Sequence, residues 1–343
     1  FYGGEPLLKF ELIQRCTEYA RRLADSNGRN IYFNLTTNLS LVTEDIANYF
    51  AQVPNFSLTV SIDGPDECNG ARVYPNGEAT FADVERGLHL VCHAFNQVGK
   101  GLTISSVLTP PFDFEKLDRI NNYFKEFPEL PKDTSIMITY PSDGTYDSEE
   151  YTKTIYNNPR YWDLGAFEPL AKWQLTEAIR NSLSWDNTNN LYFRALADSM
   201  LRIKNRFASV EPAIRTGRIE ACCVPAVRKI YVHTNGDLSI CERIGTSPSI
   251  GTISKGVNKD STIRDYIDNY LAKSKPLCEK CWAFNICPMC YAACFDQDGV
   301  NVKKKALMCN SCRTHTYLML GTFCTLMEER PEALEALNHS TIL

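Results

Sequence analysis

Residues 56–64 read FSLTVSIDG. An apolar run with β-branched and aromatic residues meets Asp63, Gly64 and Pro65, a turn sequence, which predicts a strand ending at a loop. The same pattern recurs on both sides. NIYFNLTTN (30–38), GLTISSVLTP (101–110) and TSIMITYP (134–141) all read as strands with turn residues at their ends. Segments of helical spacing lie between them. Residues 9–25 carry Leu12, Ile13, Cys16, Tyr19, Ala20 and Leu23 on one apolar face, with Gly28 as the stop. Residues 43–52 begin at Thr43, an N-cap followed by acids. Residues 78–98 place Phe81, Val84, Leu88, Val91, Cys92 and Phe95 together, and 113–127 reads as a fourth helix. Strand and helix alternate about every forty residues, which predicts a parallel sheet with helical crossovers.

In such folds the site lies where strands end and loops begin. Gly3, Gly4 and Glu5 of the opening FYGGEPLLKF fall there. So do Thr36, Thr37 and Asn38, and then Ser61, Asp63 and Gly64. Each taken singly reads as a turn or cap residue. Several in register predict one polar rim.

The bulk properties narrow the classes. At 343 residues the chain is long enough for two cores. Apolar residues make up 44% and charged residues 22%, the mix of a globular protein. No apolar run approaches a membrane span, and no export signal is visible, so a cytoplasmic protein without a membrane partner is expected. A net charge of −5 argues against a nucleic-acid surface. The one basic run, Lys303, Lys304 and Lys305, reads as a solvated loop. Residues 145–220, rich in Tyr, Trp and Asn, read as a connector with helices near 162–184 and 190–206.

Cysteine carries the chemistry. There are fourteen, and eleven lie from Cys222 to Cys324. Cys222 and Cys223 precede VHTNGDLSIC, a hairpin turning at Asn235 and Gly236 and ending on Cys241. Then come Cys278-x2-Cys281-x5-Cys287-x2-Cys290-x3-Cys294 and Cys309-x2-Cys312. A C-x2-C pair lets two thiolates reach one metal atom or cluster, and four thiolates hold either zinc or a cubane iron–sulfur cluster. Iron–sulfur is favoured because there are thiolates enough for two clusters. Cys16 and Cys92 read as packing residues on apolar helix faces, Cys324 as packing on a helix, and Cys68 as part of a polar loop. His89 and His93 have the spacing of a helical zinc pair, but their neighbours pack and no acid partner is evident.

YGGEP at a strand end, TTN after the next strand, SIDGP followed by Arg72 after the third, and the cysteine module together resemble radical S-adenosylmethionine (SAM, AdoMet) enzymes with a SPASM domain. The cysteine series follows that family's pattern as far as Cys287, then departs, with two residues rather than three before Cys290. The resemblance implies an α/β fold: a partial (β/α)6 radical SAM barrel over 1–144, a helical connector covering it over 145–220, and a SPASM domain with a C-terminal helix over 221–343. It implies that a reduced [4Fe–4S] cluster splits SAM to a 5′-deoxyadenosyl radical that abstracts a substrate hydrogen. It gives Gly3, Gly4 and Glu5 to the SAM amine, Ser61 and Arg72 to the methionine carboxylate, and Asn38 and Asp63 to the ordering of the rim. It gives Cys223 or Cys222, with Cys241 and Cys290, to a first auxiliary cluster. Cys278, Cys281, Cys287 and Cys309 go to a second. Cys294 and Cys312 substitute for neighbours, complete the first cluster or stay free. The family's C-x3-C-x2-C triplet does not occur in the sequence. The barrel is therefore expected to lack its first strand–helix unit, with the SAM-cluster ligands upstream of residue 1 and the chain alone inactive.

The resemblance implies a peptide or protein substrate and an electron donor such as flavodoxin or ferredoxin. The first expectation is a maturase forming thioether or carbon–carbon crosslinks in a ribosomally made peptide. The alternative is an anaerobic sulfatase maturase forming formylglycine. In that branch a catalytic Asp is expected after the hairpin cysteine, where this chain has Glu242. A non-catalytic, zinc-stabilised binding module is the third possibility.

Overall fold

The computed structural model describes residues 1–109, 114–139, 199–204, 223–335 and 337. Strands β1 (Phe33–Thr37), β2 (Phe56–Ser61), β3 (Thr103–Val107) and β4 (Ser135–Thr139) lie side by side in chain order and run parallel. Parallel neighbours need crossovers. Helices α2 (Glu44–Gln52), α3 (Phe81–Gln97) and α4 (Phe114–Glu126) supply them, while α1 (Phe10–Ser26) precedes β1. Thr43 caps α2 through its side chain, as its position predicts. Side chains alternate across the sheet. Leu35, Leu58, Val60, Ile104 and Ile136 are buried in one core with Leu88, Val91, Phe95, Leu117 and Ile120. The opposite face carries hydroxyls in register, Thr36 beside Thr59, Thr59 beside Thr103 and Thr103 beside Ser135.

Two expectations about this unit change, and a third gains detail. Helix α1 buries Ile13, Thr17 and Ala24, and its Phe10 meets Tyr49 and Phe50 edge-on. Leu12, Cys16, Tyr19 and Leu23, expected on the core face, are exposed. The helix has two adjacent apolar stripes, and the one bearing Phe10 reaches the aromatic side chains of α2. Cys68 lies in the polar loop as expected, and a 3-10 turn over Asp66–Cys68 buries it there. His89 does have an acid partner, Glu129, with Nδ1 2.9 Å from its carboxylate, while His93 meets Gln97.

Helix α3 fixes the loop after β1. Leu39 there has a left-handed φ of 64°, and Arg86 donates to the Ser40 and Val42 carbonyls. A Cβ at Gly87 would stand 2.4 Å from the Leu39 carbonyl oxygen, so only glycine lets the helix approach this closely. Gly87→Ala is expected to cost about 1–3 kcal/mol through overpacking. An unchanged urea midpoint would show that the loop yields freely.

The described residues from 199 to 334 form a second compact unit, distinct from that of 1–139. Strands β5 (Tyr231–Val232), β6 (Asp237–Ser239), β7 (Gly251–Thr252) and β8 (Gly256–Val257) make an antiparallel meander. The first pair turns at Asn235 and Gly236, whose φ of 87° suits glycine. Helix α5 (Lys259–Ile263) passes through a π-helical turn (Arg264–Asp268) into α6 (Asn269–Cys278). The hairpin of β9 (Phe295–Asp296) and β10 (Gly299–Val300) leads into α7 (Val302–Glu329) and α8 (Pro331–Glu335). Tyr266, Tyr270, Tyr291 and Phe295 stack and cross at the centre of this core.

The basic run is not a solvated loop. Lys303, Lys304 and Lys305 occupy the first turn of α7, which Asn301 caps. Helical periodicity splits them: Lys303 is exposed, whereas Lys305 is 1% exposed. Cys324, expected to pack, is exposed on the same helix, because Thr322 and Leu326 take the buried side of that turn. Of the helix expected over 190–206, residues 199–204 are helical; the rest of the 145–220 connector, including the helix expected near 162–184, lies outside the described residues. Among the described residues no helix is long and apolar enough to cross a membrane.

Candidate functional site

The predicted rim residues stand at one end of the parallel sheet. Phe1 lies along β1, its terminal amine donating to the Asn34 carbonyl and its own carbonyl accepting from Thr36 at 3.1 Å. The chain then turns at Gly3 and Gly4. Gly3 has a φ of 147°, and a Cβ at either glycine would have no atom within 4 Å, so the backbone here faces open space. Glu5 fastens the turn. Its Oε1 accepts from Leu7 N at 3.0 Å and from Thr37 Oγ1 at 2.9 Å, and its Oε2 from Asn38 N at 2.8 Å. Asn38 in turn accepts from the amide and hydroxyl of Ser40.

Asp63 and Arg72 form the second half of the rim. The buried carboxylate receives Arg72 Nε at 2.7 Å and Nη2 at 2.6 Å, a bidentate pair, and Val107 N at 2.8 Å. Asn69, which the sequence reading passed over, closes this loop. It accepts from Asp63 N and donates to the carbonyls of Gly64 and Pro65. Its place between Asp63-Gly64-Pro65 and Arg72 in a polar turn is the signal that could have found it. Ser61 is half-buried at the end of β2. Arg72 is therefore committed on two nitrogens, and among the described residues Nη1 has no hydrogen-bond partner.

In the second unit the thiols fall into neighbouring sets. Cys278 lies within electrostatic reach of Cys281 and Cys287, and Cys309 within reach of Cys278 and Cys287. Burial pushes the Cys278 and Cys309 thiols up, with Lys305 opposing it. A hydrogen bond from Cys312 holds Cys287 down to about 6 against burial, and the same bond, with burial, drives Cys312 up. Burial also pushes up Cys241, whose neighbour is Cys290. Cys294 is fully buried, directs its Sγ at the carbonyls of Cys290 and Tyr291, and is pushed up to about 12 by burial. Cys223 is half-buried, and Cys222 lies outside the described residues. Among the described residues, no three Cys, His, Asp or Glu side chains converge closely enough to hold a single metal ion.

Glu242 is engaged rather than free. Lys229 Nζ reaches its two oxygens at 3.0 and 3.3 Å, and Arg243 lies 3.8 Å away. Burial raises the carboxyl, but its own backbone amide, Lys229 and Arg243 together outweigh this and leave it below the ordinary range.

No family model matches the sequence. A stretch of 91 residues is 32% identical to an uncharacterized protein of Methanocaldococcus jannaschii; it is 26% of this chain and spans 31% of the length of that relative. Native anSMEcpe with bound AdoMet superposes with a TM-score of 0.65 at 20% identity, covering 96% of this chain and 83% of that one. Native anSMEcpe with bound AdoMet and Kp18Cys peptide gives 0.60 at 19% identity, over 95% and 84%. Its counterpart with Cp18Cys peptide gives 0.65 at 20%, over 96% and 84%. The chain thus shares the fold of these structures, with a four-stranded parallel sheet in its first unit.

Proposed function

We propose that the chain is a radical SAM enzyme that modifies a peptide or protein, binding AdoMet at the rim of the first unit and auxiliary [4Fe–4S] clusters in the second. The observation that carries this reading is the open glycine backbone. Gly3 and Gly4 present unobstructed main chain beside Glu5, at the carboxyl ends of parallel strands, in a chain that shares its fold with AdoMet-bound structures. Glu5 Oε2 holds one donor and has room for a second from an ammonium. Ser61 and the remaining Nη1 of Arg72 suit a carboxylate, and Asn38 and Asp63 keep the rim in shape. AdoMet beside a reduced cluster supplies a hydrogen-abstracting radical; the chain's own residues bind, orient and shield it.

Cys278, Cys281, Cys287 and Cys309 are the second-cluster ligands in this reading, supported by their mutual reach. Cys241 and Cys290, with Cys223 or Cys222, are the first. Cys312, bonded to Cys287, is the substitute within the second set, whereas Cys294 serves the core. Clusters are preferred over zinc on the number of thiols, which is enough for two sets. Flavodoxin- or ferredoxin-like proteins are the matching electron donors.

The fold likeness to peptide-bound structures supports a peptide substrate. We favour maturation of a ribosomally made peptide, because Lys229 holds the only carboxylate that the sulfatase-maturing reading places as base. Sulfatase maturation is the second reading, favoured by the likeness to anSMEcpe itself.

Gly4→Val provides the test. A Cβ there meets no protein atom within 4 Å, so the variant is expected to keep the wild-type melting temperature. It would fill the approach to the backbone, and AdoMet affinity by equilibrium dialysis of the intact protein should fall at least tenfold, about 1.4 kcal/mol. A wild-type protein that binds no AdoMet, or a valine variant that binds it equally, overturns the assignment.

A further inference from the structure

Lys305 presents a physical anomaly. It is 1% exposed, yet among the described residues it has no carboxylate partner. Its Nζ lies 3.0 Å from Tyr270 Oη and 4.7 Å from the centre of that ring, contacts that orient an ammonium without neutralising it. A buried charge ordinarily needs a partner of opposite sign. On α7, Lys305 is one turn before Cys309 and two turns before Cys312, so all three share a face. Cys312 is buried there, and Cys309 half-buried.

We propose that Lys305 is the charge-compensating residue of the thiolate set Cys278, Cys281, Cys287 and Cys309, positioned to stabilise an anionic metal–thiolate centre and most of all its one-electron-reduced form. This rests on the cluster reading above. Four thiolates around a [4Fe–4S]2+ core carry a net charge of −2, and one added electron makes it −3. A fixed ammonium in a water-poor core stabilises both states, the second more. Cys278, Cys287, Cys294, Cys309 and Cys312 all lie within electrostatic reach of the Lys305 ammonium. Arg202 adds a second positive charge at Cys287, and Arg313 one at Cys309. Lys304 adds one at Cys294; of these four cations among the described residues, Lys305 alone reaches all five thiols.

The test compares Lys305→Met, which keeps the stem and removes the charge, with Lys305→Arg, which keeps the charge. The intact protein is reconstituted anaerobically with iron and sulfide and titrated with dithionite under EPR. In the Met variant the reduced cluster is expected to lose about a tenfold preference, a midpoint about 59 mV lower for one electron. The Arg variant should return most of it. A parallel cadmium titration of the metal-free protein reads thiolate bonds by their charge-transfer band, and the Met variant should bind about tenfold more weakly. Far-UV circular dichroism confirms that each variant folds. Equal midpoints and equal cadmium affinities in all three proteins overturn the role of Lys305 alone. A wild-type protein that takes up neither iron nor cadmium overturns the cluster reading, and Lys305 with it.

Discussion

Asp63→Ala is expected to destabilise the first unit by about 3 kcal/mol, the low end of what breaking a buried ion pair costs. The carboxylate accepts both arms of the Arg72 fork and the Val107 amide, joining the loop after β2 to the end of β3. Removing it leaves a guanidinium and a main-chain donor without an acceptor. The low end applies because the Arg72 side chain retains 23% exposure and water can partly solvate it. A urea titration followed by tryptophan-independent circular dichroism gives the midpoint. Adding Arg72→Met should recover part of the loss, since no stranded charge then remains. A single variant losing under about 1 kcal/mol would mean the pair behaves as a surface salt bridge and does not hold the rim.

The other large effect is functional. Replacing Cys278 and Cys281 together by Ala should remove one of two clusters, about half of the iron this chain binds. Cys16→Ala and Cys324→Ala are the matched controls, since both thiols are exposed and stand outside the sets described above. Unchanged iron in the double variant, by colorimetric assay after anaerobic reconstitution, would sink the second-cluster assignment.

Much of the first unit was legible because burial and turn chemistry agree. Each strand alternates against one core and stops at Asn, Asp or Pro, and α3 has a single apolar face, so there was one way to place it. Helix α1 shows the limit. Its stripes through Phe10 and through Leu12 are both apolar, and only the aromatic side chains of α2, far along the chain, decide between them. The Asp63–Arg72 pair was hidden for a related reason. Opposite charges nine residues apart have no fixed geometry until the Asn69 turn folds the loop back. A basic triplet read as a surface run because composition averages over it, whereas a helix separates its members by about 100° each. Had the spacing Lys305 to Cys309 to Cys312 been read as helical, the buried lysine would have been visible beside the thiols.

The hydrogen bonds that end on Glu5 have a thermodynamic consequence. The turn at Gly3 and Gly4 is the most permissive backbone in the rim, the sort of segment that would otherwise sample many shapes. Donors from Leu7, Thr37 and Asn38 tether it to the sheet without using a bound molecule. Its entropy is surrendered as the chain folds, not when something docks. A guest arriving at this edge meets a surface already in one shape, so its binding enthalpy is not spent on freezing a loop.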